Sequence, residues 1–294
     1  MATSHTEFVT WRRCPREWFF SYVLYREPLV TPKPLEVGRR VDTAIKSAML
    51  GNVPDFSQLE PDERALVVGH TWRWKGTLDV ERVDIPFRVR LGSVEVMGEI
   101  DAIGVLRSSS AGIGAVGRRV LVECKSTSAD IHLGSGYWKQ IAHVDPQATI
   151  YLAAAEQLGL AEPFLVWDAL HKPTYRQKQS ETDDAFSERV LGEISADMPR
   201  YYQRVEIVRH DEEHAAAVRD IEGHVHLMQV ARMQLKEVPR NVDSCFKWGR
   251  ECPFFAVCSG ATTIDDPLRY KNKERKVRTT PVETKPVERA RFEF

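Results

Sequence analysis

Near the middle of the chain stands the stretch Val120-Leu121-Val122-Glu123-Cys124-Lys125, an apolar run that changes abruptly into a pair of opposite charges. Short runs rich in Val are typical of buried strands. On a strand, a spacing of two places Glu123 and Lys125 on the same face. A charged group on a buried face costs several kcal/mol unless it has a partner. A bound divalent cation would be such a partner.

A second acid, Asp101, lies in the preceding apolar run, Met97–Ile103. Carboxylates on two neighbouring strands supply the hard oxygen ligands that Mg²⁺ and Mn²⁺ prefer. Such an ion can activate a water and neutralise charge on a phosphate, while a lysine positions the nucleophile. We therefore predict a metal site with Asp101, Glu123 and the backbone carbonyl of Cys124 as ligands, and with Lys125 serving the attacking water. A surface strand with a Glu–Lys pair and an unrelated aspartate is the alternative.

The surrounding sequence predicts a mixed α/β fold in which helices flank the sheet. Apolar residues at helical spacing, and Val- and Ile-rich runs between Gly- and Ser-rich breaks, define the elements. The predicted helices cover residues 11–25, 37–49, 137–158, 185–202 and 214–235, and the predicted strands cover residues 80–128, with a hairpin loop at 108–117, and 164–169.

The composition is that of an ordinary globular protein. The chain has 294 residues, and 43% of them are hydrophobic. Its formal net charge is −1, so the protein as a whole does not attract polyanions. Affinity for nucleic acid must therefore come from local basic patches such as the loop at Lys172. No apolar stretch is long enough to cross a bilayer, and no export signal opens the chain, so we expect a cytoplasmic protein. We expect one domain over residues 1–262. The charged, apolar-poor stretch that follows predicts a basic, disordered tail over residues 263–294.

At this point the sequence resembles the PD-(D/E)XK nuclease superfamily, in its RecB-like branch. Asp101 and Glu123-Cys124-Lys125 match the acid and the E-x-K pair, and Gln147-Ala148-Thr149-Ile150-Tyr151 looks like the family's Q-x-x-x-Y helix motif. The resemblance implies a restriction-endonuclease-like mixed sheet flanked by helices, and a site in which Gln147 and Tyr151 lie near the metal and the DNA backbone. Simple helix packing is the alternative role for those two residues.

One residue departs from the family pattern. RecB-like nucleases carry a metal-binding histidine in a G-x-x-x-H context, whereas Gly38-Arg39-Arg40-Val41-Asp42 has aspartate in that place. Asp42 can still donate an oxygen to the metal, and it would suit Mg²⁺. The difference predicts either a variant site or weakened catalysis.

Four of the five cysteines bracket the predicted core, with Cys14 near the start and Cys245, Cys252 and Cys258 close together near the end. Four thiolates are the number needed for a 4Fe–4S cluster or a tetrahedral zinc. The spacing resembles the iron–sulfur subgroup of RecB-like nucleases, which includes AddB-like and CRISPR-associated members. The resemblance implies a 4Fe–4S cluster, with zinc or four buried thiols without metal as alternatives.

By family analogy, the protein would be an exonuclease acting on single-stranded DNA or DNA ends in recombination or repair, in a cell or for a phage. No helicase motif accompanies these residues, so a helicase or recombination partner would be a separate chain. The alternative is a DNA-binding or scaffold protein that kept the nuclease fold and lost turnover.

Overall fold

A mixed sheet of six strands forms the centre of the computed structural model, which describes residues 2–108, 116–158, 160, 164–234 and 238–274. The strands of this sheet are β1 (Thr3–Ser4), β3 (Leu78–Leu91), β4 (Val94–Leu106), β5 (Arg119–Thr127), β6 (Phe164–His171) and β7 (Tyr202–Ile207). A separate two-stranded sheet pairs β2 (Arg26–Pro28) with β8 (Tyr270–Asn272). The predicted α/β class is thus confirmed.

Helices surround the sheet. They are α1 (His5–Arg13), α2 (Pro15–Trp18), α3 (Lys33–Met49), α4 (Pro61–Trp74), α5 (Gly136–His143), α6 (Pro146–Gln157), α7 (Asp183–Ala196), α8 (Met198–Tyr201), α9 (Asp211–Gln234) and α10 (Phe255–Cys258). A π-helical turn follows α2 at Phe19–Val23, and short 3₁₀ turns lie at Phe56–Gln58, Val242–Ser244 and Lys247–Gly249.

Strand β4 has an uneven set of neighbours. Along one edge it pairs antiparallel with β3 over nearly its whole length. Its other edge is shared, because β1 pairs with Val96 and Met97 while β5 pairs with residues 102–105. In the described chain, neither of these two strands pairs with residues 98–101. The backbone there is open to side chains from outside the sheet.

Two apolar cores cover the two faces of the sheet. Helices α1, α6 and α9 contribute to the first core, and helices α3, α4 and α7 to the second. Strand β5 alternates between them, since Leu121 belongs to the first core and Val120 and Val122 to the second. By the same alternation Glu123 and Lys125 lie on the first face.

Two predicted helices are interrupted. The helix predicted over residues 11–25 breaks at Cys14, whose backbone is extended (φ −158°), and restarts at Pro15. The helix predicted over residues 137–158 breaks before Pro146, where the side chain of Asp145 accepts a hydrogen bond from the Gln147 backbone amide. Proline lacks the amide that would continue a helix but suits its first turn, so both breaks have the same cause.

The other predicted helices and the strand at residues 164–169 are found in the structure, except that the helix predicted to reach residue 202 ends earlier. Helices predicted over residues 37–49 and 214–235 and the strand predicted at 164–169 are confirmed, although α3 begins at Lys33 and α9 at Asp211. The helix predicted over residues 185–202 ends early, and residues 202–207 form β7 instead. Pairing with β6 supplies the long-range contacts that override the local helical spacing. Helix α4 was not predicted.

The predicted tail begins too early. Strand β8 pairs with β2, and the Tyr270 ring is buried and stacked on Phe254 with 5.5 Å between centroids. Packing therefore extends past residue 263, because a buried aromatic side chain, strand pairing and the Arg26–Asp265 ion pair hold an otherwise charged segment. Residues 275–294, and residues 109–115 of the predicted hairpin loop, lie outside the described residues. None of the helices in the described ranges is long and apolar enough to span a membrane.

Candidate active site

Asp101 lies in the stretch of β4, residues 98–101, that pairs with neither β1 nor β5. The last residues joined in the ladder with β5 are Ala102 and Val122, so Asp101 and Glu123 come one step beyond its end. The two strands separate here. The Asp101 Oδ2 atom accepts a hydrogen bond of 2.9 Å from the Cys124 backbone amide, which ties the carboxylate to β5.

The Glu123 side chain is buried, with only 1% of its surface exposed. Its Oε1 atom forms an ion pair with Lys125 and accepts a 2.6 Å hydrogen bond from Gln147 Nε2. Its Oε2 atom is buried and has no hydrogen-bond partner among the described residues. Burial raises the pKa of Glu123 to about 8, although the Lys125 charge opposes the shift. A buried carboxylate oxygen without a partner is what a missing cation would leave.

Gln147 and Tyr151 of α6 lie beside Glu123. A spacing of four places both on one face of α6, and Gln147 Nε2 lies 3.1 Å from the Tyr151 hydroxyl. That hydroxyl donates a 2.6 Å hydrogen bond to the carbonyl of Glu99, on the edge of β4 that pairs with neither β1 nor β5 at this point. The helix therefore holds β4 and β5 at a set distance where they separate.

Lys46 is a site residue that the sequence reasoning missed. From α3, its Nζ atom lies 2.8 Å from Asp42, 2.7 Å from Asp84 and 2.9 Å from Asp101. Asp42, predicted as a metal ligand, thus belongs to one charge cluster with Asp101. Burial, and next the Asp101 charge, raise the pKa of the Asp42 carboxyl.

The spacing of four between Asp42 and Lys46 on a predicted helix was the available signal for the lysine. Asp84 gave no such signal, because it lies far away in sequence, at an irregular point of β3 where its φ is +51°.

His5 is a second missed residue. It begins α1 directly after β1, and its Nε2 atom is buried without a hydrogen-bond partner among the described residues. Burial, and next the charges of Lys125 and Arg12, lower the pKa of His5 to about 3. A neutral imidazole therefore lies in the surroundings of Lys125, and no local pattern in the sequence pointed to it.

The acidic cluster and Lys125 open onto a cleft. This cleft has a volume of about 460 Å³, and its lining includes Asp42, Asp101, Lys125, Arg39 and Lys172. A larger cleft of about 1370 Å³ adjoins it and shares Pro34, Ser126 and Lys172, with Lys33 and Arg250 further along its wall. Glu60, Asp62 and Glu63 line the larger cleft as well, so the two clefts form a path of mixed charge that leads to the carboxylates.

The four predicted cysteine ligands meet at one small cavity lined by Cys14, Cys245, Cys252 and Cys258. The Asn241 backbone amide donates to Cys14 Sγ at 3.4 Å, and the Cys252 amide donates to the Cys245 carbonyl at 2.7 Å. Burial raises the pKa of the Cys252 thiol to about 12. Four cysteine sulfurs are the donor set of a 4Fe–4S cluster or of tetrahedral zinc, so the residues at this cavity fit either group in kind. Cys124 lies apart from it, on β5.

The side chains are not in ligating positions. Over the described ranges, no three His, Cys, Asp or Glu side chains are grouped so that they would hold a metal ion. In the carboxylate site, Lys46 holds the acids around its own ammonium, and Glu123 keeps one free oxygen. The oxygen donors therefore fit Mg²⁺ or Mn²⁺ in kind, but Lys46 would have to withdraw and side chains to rotate.

Comparisons with known proteins do not identify a family for this chain. No family model matches the sequence, and no curated protein matches it. The crystal structure of a "Putative exonuclease" from Eubacterium rectale is 10% identical over 90% of each chain, with a TM-score of 0.49. The crystal structure of SSO0001 is 18% identical over 88% of this chain and 97% of that chain, with a TM-score of 0.30. The assignment of function rests on the residues of the site.

Proposed function

We propose that this protein is a metal-dependent nuclease that hydrolyses phosphodiester bonds of DNA. The observation that carries the proposal is the 2.6 Å hydrogen bond from Gln147 to Glu123. It joins the E-x-K strand motif to the Q-x-x-x-Y helix motif, which are separate in sequence, at one buried carboxylate. A surface Glu–Lys pair would need no such buried support.

Asp101, Glu123 and Asp42 would hold Mg²⁺ or Mn²⁺, with the Cys124 carbonyl as a further donor. Such an ion supplies Lewis acidity toward the phosphate and activates water. Gln147 and Tyr151 keep the Glu123 carboxylate oriented, which removes the cost of ordering it during the reaction.

Lys125 acts as a cation in this proposal. Burial alone would lower its pKa, but the Glu123 and Asp101 charges outweigh burial and raise it. The lysine is therefore protonated at neutral pH and can donate to a phosphate oxygen or orient the attacking water, and it cannot take a proton from that water. Its side chain is 42% exposed, so it reaches the cleft.

The substrate we propose is single-stranded DNA or a DNA end. Arg39 and Lys172 line the cleft beside the acids, and Lys172 also lines the adjoining cleft. Basic side chains along a groove bind a phosphate backbone without regard to sequence. We propose exonucleolytic action in recombination or repair, in a cell or for a phage, with any helicase supplied by a separate chain.

We propose that the four cysteines hold a 4Fe–4S cluster, with zinc as the alternative. Asn241 Nδ2 and Ser244 Oγ donate to the Arg13 carbonyl, at 3.0 and 2.8 Å, beside Cys14. A metal centre there would tie the first helices to the C-terminal segment. Anaerobically purified protein should be brown and contain iron, whereas colourless, iron-free protein would contradict the cluster.

The test of the nuclease is a cleavage assay on single- and double-stranded DNA labelled at either end, with Mg²⁺ or Mn²⁺. We expect Lys125→Met and Asp101→Asn to lose at least about 100-fold in rate. Lys75→Met is the matched control, since Lys75 is exposed at the end of α4, and it should cleave like the wild type. Equal rates for Lys125→Met and Lys75→Met would contradict the proposal.

A DNA-binding protein without turnover is the second candidate. It is favoured by the Lys46 ammonium, which lies among the carboxylates that the nuclease needs for its ion. Tight DNA binding combined with no cleavage at any Mg²⁺ or Mn²⁺ concentration would support this candidate over the nuclease.

A further inference from the structure

Lys46 has three carboxylate partners in different surroundings. The Asp101 side chain is 15% exposed and the Asp42 side chain 35%, and both line the cleft. The Asp84 side chain is 56% exposed and belongs to β3, on the side of β4 away from β5. One ammonium therefore bridges the interior of the site and its outer edge.

Acidic side chains outnumber basic ones in the site. Asp42, Asp84, Asp101 and Glu123 surround two ammonium groups, those of Lys46 and Lys125. The acids can therefore neutralise a further cation, fully so once Glu123 has lost its proton. Each Asp101 oxygen already has one partner, because Lys46 contacts Oδ1 and the Cys124 amide donates to Oδ2.

We propose that Lys46 is the internal competitor of the divalent cation, and that Asp84 receives its ammonium when the ion binds. This inference rests on the metal site of the proposed function. A flexible four-carbon stem lets the ammonium swing from Asp101 to Asp84 while it keeps an ionic partner. Asp84 thus acts through Lys46 as a positioning residue and does not contact the ion.

The competition makes metal affinity depend on Lys46 in a specific direction. Asp42 and Asp101 each give one oxygen to the ammonium. An ion that takes these oxygens must break the two contacts, and their free energy lowers its net affinity. An ammonium left in place would also repel the ion at short range. Removing the charge should tighten metal binding, although it removes a group that contacts the proposed ligands.

The experiment measures Mn²⁺ binding by the intact protein without DNA, from the electron paramagnetic resonance signal of free Mn²⁺. We expect Lys46→Met to bind Mn²⁺ at least about tenfold more tightly than the wild type. Lys46→Arg keeps the charge and should stay within about threefold of the wild type. Asp84→Asn should bind about three- to tenfold more weakly, since Lys46 loses its outer partner.

The double variant Lys46→Met/Asp84→Asn separates the two roles of Asp84. It should match Lys46→Met, because Asp84 has nothing to position once the ammonium is gone. If Asp84→Asn weakens binding equally in the Lys46→Met background, Asp84 is a direct ligand and the inference is overturned. Unchanged or weaker binding by Lys46→Met overturns it as well. If Lys46→Met does not fold, Asp84→Asn alone decides, and unchanged binding refutes the inference.

The two proposals fail in different ways. Mn²⁺ binding that follows the expected order, in a protein that cleaves no DNA, supports the role of Lys46 and contradicts the nuclease. If the protein cleaves DNA but Lys46→Met binds Mn²⁺ no more tightly than the wild type does, only the role of Lys46 is contradicted. No Mn²⁺ binding by any variant overturns both.

Discussion

Glu123 should make the metal-free protein lose stability as pH rises. The carboxyl is fully buried, and its pKa is raised from 4.5 to about 8. Between these two values the unfolded chain has lost the proton and the folded chain keeps it. The folded state then binds more protons, so the free energy of unfolding falls with rising pH, and the loss is complete above pH 8.

The magnitude follows from the shift. Each pH unit in this window removes about 1.4 kcal/mol for one proton, so the shift corresponds to at most about 5 kcal/mol. Glu123→Gln cannot ionise and escapes this loss, although it also gives up the ion pair with Lys125. We expect the variant to be on the order of 2–5 kcal/mol more stable than the wild type at pH 8.5, and nearly equal to it at pH 5.

Urea unfolding in a chelator, at pH values from 5 to 8.5, measures the difference. Glu188→Gln is the matched control, because Glu188 is exposed on α7, and its stability should follow the wild type at every pH. Excess Mn²⁺ should stabilise the wild type at pH 8 and leave Glu123→Gln unchanged, since the ion binds only the ionised site. A stability difference that does not change with pH would refute the reasoning.

Three further perturbations test other parts of the molecule. Gln147→Leu removes the amide that orients Glu123, so single-turnover cleavage should fall about 10- to 100-fold. DNA affinity, measured by anisotropy, should stay within about twofold of the wild type. Equal losses of cleavage and affinity would contradict an orienting role. Cys252→Ser should lose iron, measured by metal analysis, and unfold at lower temperature in calorimetry. Asp168→Asn breaks the buried pair with Arg204, whose Nε lies 2.8 Å from the carboxylate, and should cost about 3–5 kcal/mol in urea unfolding. Cleavage per folded Asp168→Asn molecule should not change.

Strand alternation predicted the pair on β5, and a family resemblance pointed to the pair on α6 and to the cysteine set. Glu123 and Lys125 share a face because side chains alternate along a strand. Gln147 and Tyr151 share a face because four residues make about one helical turn. The Cys14 segment and the C-terminal cysteines could be grouped by count and spacing, and they line one cavity.

Periodicity failed where a distant partner determines the conformation. Tyr202 lies in a strand because β6 offers an edge for pairing, although the preceding residues have helical spacing. Tyr270 is buried because Phe254 is beneath it, although its neighbours have the composition of a tail. Neither partner can be read from the residues nearby.

The class of fold and the shared strand face of Glu123 and Lys125 could be predicted from the residue pattern, because side chains repeat with the period of the backbone. The helix motif at Gln147 and Tyr151 was predicted from a family resemblance. The cation that lies among the acids is known only from the folded molecule. Lys46, Asp84 and Asp101 come from α3, β3 and β4. The ladder between β3 and β4 brings Asp84 beside Asp101, and Lys46 reaches both from α3. Strand pairing and the packing of a helix on the sheet are properties of the whole fold, and no local pattern encodes them.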